Sequence, residues 1–189
     1  MTMHLETVSN AQFTEGVRQF LFQCAVPTLP SIDCVFNGFE NEVSLPQGSN
    51  DFCVFTPLSY QPRGNVLEDW ERYGEGLRLA QYVTAEIQVD CFSDSKVRAR
   101  ERASNFVLLA SHSMGVDFLG RYGIDCQYAE GLRNLTQVLD SSKFTPRYSF
   151  TLRLGFWKKL NVKFDFFDHL NLDGVFNVDV RFPSDKEEK

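Results

Sequence analysis

Val83-Thr84-Ala85-Glu86-Ile87-Gln88-Val89-Asp90-Cys91 decides how this chain of 189 residues folds. Apolar side chains fall on every second position with polar ones between, the two-residue period of a strand that buries one face. Ser93-Asp94-Ser95 then interrupts the alternation with side chains that accept hydrogen bonds from free helical amides, and the period changes. From about Asp94 to Ser111, Ala99, Ala103, Phe106, Val107 and Ala110 form one stripe, while Arg98, Arg102 and Asn105 form another face. Tyr82 to Ala110 is therefore expected to be one strand running directly into one amphipathic helix laid on a sheet.

The counterpart of this stretch is Arg147 to Phe156, where Tyr148, Phe150, Leu152, Leu154 and Phe156 alternate with Arg147, Ser149, Thr151, Arg153 and Gly155. If the two strands are antiparallel neighbours, Arg153 meets the acidic side chains Glu86 and Asp90 on the polar face, for about 0.2–1 kcal/mol per pair.

Around these two strands the remaining elements can be placed. Ser9 and Asn10 can cap a first helix carrying Phe13, Val17, Phe20, Leu21 and Cys24 at helical spacing. Pro27 disfavours helical geometry at Val26 and ends it. Residues 31–48 show neither period. Asp51 to Thr56 reads as a strand, with Pro57 and Pro62 either ending it or placing its continuation at a sheet edge.

Residues 57–78 have loop composition and length enough to leave the core, so they are expected as an extended loop or arm. Leu77 to Phe92 is long enough for a strand that begins before the core and bends into it. Gly115 is expected to close the main helix. A short helical turn follows at Val116–Leu119, a short strand at Gly123–Tyr128, and a loop from Ala129 to Ser142. Val162, Phe164 and Phe166, then Phe176, Val178, Val180 and Phe182 around an Asp173-Gly174 turn, repeat the strand pattern. Residues 183–189 are expected as a flexible charged tail. This order predicts a single α+β domain, 1–189. Its mainly antiparallel twisted sheet would carry two principal helices on one face, plus a long loop or hairpin excursion.

Composition narrows the function classes. Hydrophobic residues make up 43% and charged ones 23%, which is globular and argues against disorder. The 18 phenylalanines far outnumber the 6 tyrosines. Phenylalanine has no polar tip to satisfy, so it suits cores or permanent interfaces between subunits. A formal charge of −6 opposes general adhesion to nucleic acid. Five scattered cysteines show no metal-type spacing and fit reduced thiols in a cytosol. Neither a signal sequence nor a membrane span is expected.

Chemistry finds little support. His4, His112 and His169 are far apart, and Asp165, Asp168 and His169 sit near a probable turn, where polar residues belong anyway. Ser111-His112-Ser113 puts a hydroxyl beside an imidazole, but a helix-end cap explains it more simply. No phosphate-loop spacing exists. The run Arg98-Ala99-Arg100-Glu101-Arg102 has two readings: a solvent face with Asp94 paired to Arg98, or arginines offered to an acidic neighbour.

Ala85-Glu86-Ile87-Gln88-Val89-Asp90-Cys91-Phe92, the Ala-containing helix, Gly115-Val116-Asp117-Phe118-Leu119 and Arg147-Tyr148-Ser149-Phe150-Thr151-Leu152 together resemble the neck or tail-terminator proteins of tailed bacteriophages. Val17-Arg18-Gln19 before a Pro-containing connector is similar to that family too. The resemblance implies a structural virion protein with no catalytic residues, metal or cofactor. It implies a homo-oligomeric ring, usually of six copies, that caps the head-proximal end of the tail tube, stops its growth and joins the tail to the head connector. In contractile tails the ring can also touch the sheath protein. DNA would pass through without specific binding, no membrane would be involved, and assembly would occur in the host cytoplasm.

Candidate subunit-interface residues are Arg98, Arg102, Glu86 and Arg153, with Arg98 and Arg102 facing carboxylates next door and acidic residues facing the channel. The alternatives are another neck or head-tail completion protein, or a small enzyme.

Overall fold

The computed structural model describes residues 8–38, 51–70, 77–140 and 143–162. Helix α1 (Asn10–Gln23) starts at a reciprocal cap. The Gln12 amide donates to Ser9 Oγ at 3.1 Å and the Ser9 amide to Gln12 Oε1 at 2.9 Å, which satisfies two otherwise orphaned donors. A 3-10 turn (Ile32–Cys34) leads into the short strand β1 (Val35–Asn37). Strands β2 (Phe52–Trp70) and β3 (Leu77–Phe92) follow, then helices α2 (Lys96–Ala110) and α3 (Ser113–Gly120). Strand β4 (Asp125–Asn134), the small pair β5 (Gln137–Asp140) and β6 (Lys143–Thr145), and β7 (Arg147–Val162) complete the described chain.

Five strands form one sheet in the order β1-β2-β3-β7-β4. Only β1 and β2 are parallel; every other pair is antiparallel. The three helices lie on one face, so the architecture is α+β. Ala85, Ile87, Val89, Cys91, Leu152 and Leu154 are all 0% exposed, as are Val17 and Phe20 of α1 and Ala103 and Phe106 of α2. The alternation of β3 and β7 thus becomes a dry layer between sheet and helices.

Several expectations need correction. Residues 57–70, read as loop or arm, are a strand paired with β3 as far as Trp70 opposite Leu77, so the excursion is a β-hairpin. The prolines are tolerated because β1 accompanies β2 only from Cys53 to Phe55; beyond that, among the described residues, β2 is the sheet edge, and edge positions need no second ladder. Register shifts interrupt β2 at Pro57/Ser59 and Arg63/Leu67, the latter around Gly64 at φ +69°. Gly131 at φ +72° sits in an equivalent shift in β4. Glycine adopts that left-handed geometry without a Cβ penalty.

Gly115 does not close α2. The cap is Ser111, and Gly115 is buried inside α3, an eight-residue helix where a single turn was expected. The loop expected from Ala129 to Ser142 is the second half of β4 and then β5. The strand pattern beyond Val162, the charged tail, His4, and the Asp165, Asp168 and His169 group lie outside the described residues.

Candidate functional site: an uncovered assembly surface

Strands β2, β3 and β7 run on past the helices as a three-stranded ribbon. Its boundary is a set of rings. Phe13 near the start of α1 lies 4.7 Å from Phe156 of β7 and 6.0 Å from Tyr60 of β2, centroid to centroid. Beyond it, among the described residues, no helix lies over the helix-side face. Tyr60, Val66, Leu79, Val83, Phe156 and Leu160 line a mainly apolar groove of about 540 Å³, crossed by the Gln81–Lys158 row between the Leu79–Leu160 and Val83–Phe156 rows, with Lys159 also in the lining. Leu160 is 60% exposed, Tyr60 50% and Val66 46%. Leu79 and Leu160 are direct cross-strand partners. An apolar strip on a thin ribbon is a surface that a stable arrangement covers.

The opposite face of the sheet is polar and internally paired. Glu86 stands opposite Arg153 in the β3–β7 register, and the two form an ion pair. The Arg153 guanidinium also lies over the Tyr128 ring at 5.2 Å. Asp90 is held instead by Arg147, whose Nε and Nη2 donate to its carboxylate at 3.0 and 2.9 Å. Gly155 leaves room for Tyr82, whose hydroxyl occupies the space a Cβ would need and donates to Asp125 Oδ2 at 2.8 Å. Burial first, then Asp125, pushes the Tyr82 phenol up, so it stays a donor at neutral pH.

Arg102 is the main departure among the expected site residues. It is 0% exposed, with Nε donating to Pro27 O at 2.9 Å, Nη1 to Phe92 O at 3.2 Å, and Nη2 3.5 Å from Asp51. Asn105 donates to Val26 O at 2.8 Å. Arg102 and Asn105 of α2 thus supply donors to carbonyls of the connector after α1, and Arg102 is removed from the surface candidates. Arg98, 51% exposed, reaches Asp51 Oδ2 at 3.1 Å.

Reactive groups have structural duties here. His112 caps α3, its Nδ1 accepting from the Met114 amide at 3.2 Å. Among the described residues no three His, Cys, Asp or Glu side chains gather as metal ligands. Cys53 and Cys91 face each other across β2 and β3 with sulfurs 3.6 Å apart; burial, then Cys53, pushes the Cys91 thiol well up. Burial raises Cys126 to about 11. Neither provides a ready thiolate at neutral pH.

The family model described as phage neck terminator protein matches residues 11–180. The chain belongs to the phage neck terminator family. That span takes in all but the first residue of α1 and every later described element. A neck terminator is a structural protein of the phage tail and neck, which gives this chain a place in the virion among other tail and head proteins. No curated protein matches the chain. Among the described residues, no helix of this neck terminator is long and apolar enough to cross a membrane.

Proposed function

We propose that the protein is a non-catalytic ring subunit that caps the head-proximal end of the tail tube, ends its polymerisation and joins the tail to the head connector. The ring is a homo-oligomer, with six copies as the expected number. The observation that carries this reading is the uncovered apolar face of the ribbon in a neck terminator chain. A subunit that must meet copies of itself through two different patches needs an apolar surface left over after folding.

Charge supports the same reading. The Glu86–Arg153 and Asp90–Arg147 pairs compensate both arginines on the open sheet face, so neither is offered unpaired to a passing duplex. Arg98, half exposed and paired with Asp51, and the exposed Arg100 are arginines of α2 able to meet a neighbour's carboxylate.

Native mass spectrometry of the purified chain tests the proposal. A closed oligomer of 21.7 kDa subunits is expected, and a species of one subunit at every concentration would overturn it. Electron microscopy of labelled particles then distinguishes the tail–head junction from other neck positions.

A further inference from the structure

We infer that the ribbon groove of one copy receives the corner between α2 and α3 of the next copy, with Lys158 set against Asp117. This rests on the ring reading and names the two patches of its heterologous contact. The groove carries a cation among apolar side chains: Lys158, which is exposed, stands between Phe156 and Leu160 on β7, with Tyr60, Val66 and Leu79 also in the lining.

On the same molecule, the α2–α3 corner exposes a second apolar set. Leu108 and Met114 are each 67% exposed and Val116 40%. Beside them a shallow crease of about 460 Å³ between α3 and β4 is lined by Val116, Asp117, Ile124 and Asp125. Arg121 also lines the crease, and its guanidinium lies over the Phe118 ring at 6.0 Å. Asp117 is exposed, so its carboxylate is presented to whatever seats there.

The two surfaces match in character and oppose in charge. One is an apolar strip carrying the Lys158 ammonium, the other an apolar corner carrying the exposed Asp117 carboxylate, with Arg121 and Asp125 in the adjoining crease. They belong to different parts of the fold, the ribbon beyond α1 on one hand and the junction of α3 with the edge strand β4 on the other. A contact between them is head-to-tail, the type that generates rings when its rotation closes. Ribbon on ribbon would set lysines together, whereas ribbon on corner sets Lys158 against Asp117.

A charge swap tests the inference. In native mass spectrometry of the full chain, Lys158→Glu and Asp117→Lys should each lose the closed oligomer, and the double variant should regain it. Far-UV circular dichroism and unfolding midpoints of the single variants should match the parent, separating a lost contact from a lost fold. Single variants that assemble as the parent does would overturn the pairing. So would a double variant as dispersed as the singles, which would assign the groove to another surface or to the tail tube. A parent chain that never leaves the single-subunit state would instead end the ring reading itself.

Discussion

Strands β2, β3 and β7 pass through two environments, and the contrast between them separates folding from assembly. Under the helices, Ile87, Val89, Leu152 and Leu154 are 0% exposed; along the projecting ribbon, Leu160 on the same face is 60% exposed. The backbone ladder is continuous between the two, from Cys91 opposite Tyr148 to Leu77 opposite Val162. What changes is the cover. The helices supply it for the first half, and nothing in the described subunit supplies it for the second. Apolar burial that the chain completes by itself stabilises the fold, while apolar surface it leaves open is available to stabilise a complex.

The sharpest test of this division compares one residue from each half. Phe106→Ala empties a fully buried site between α2 and the sheet and should destabilise the subunit by about 3–5 kcal/mol in urea unfolding. Leu160→Ala should change the stability of a lone subunit by less than about 0.5 kcal/mol yet disperse the oligomer in native mass spectrometry. Equal costs in a lone subunit would break the comparison.

Arg102→Leu comes next. It leaves the largely buried Asp51 carboxylate with Arg98 and strips donors from the carbonyls of Pro27 and Phe92, for a loss of about 3 kcal/mol in the same assay. A loss of oligomer with no loss of stability would return Arg102 to the surface. Ser9→Ala removes the cap of α1 and should cost about 1 kcal/mol by thermal unfolding. The smallest effect belongs to the open face, where a double-mutant cycle on Glu86 and Arg153 should give a coupling of about 0.2–1 kcal/mol that weakens with salt. A coupling beyond that range would mean that this pair is shielded from water by a further surface.

The covered half was legible in the sequence for a physical reason. A strand buried on one side writes a two-residue period, so β3 and β7 and the Glu86–Arg153 meeting could be read before any coordinates. The hairpin was legible only as an alternative to a loop, because β2 beyond Phe55 is an edge strand carrying Pro57, Pro62 and Gly64 across two register shifts. Edge pairing demands little of the side chains, and the local signals there are those of a loop.

Arg102 misled for a different reason. Its partners lie 75, 51 and 10 residues away in sequence, at Pro27, Asp51 and Phe92, and no local pattern reports an unsatisfied carbonyl at that distance. The groove was likewise invisible, since exposed and buried alternating leucines write the same pattern. Only the point where the helices stop distinguishes them.

The ribbon also works as a graduated beam. Its β3 and β7 rows pair without a shift, so lengthening both strands by two residues would push the tip outward by about 7 Å with each of their side chains keeping its side. A single added residue per strand would turn Leu79 and Leu160 to the opposite side. Changes in reach among related subunits should therefore come in even steps, with the span to a neighbour altered by increments and the gripping surface retained.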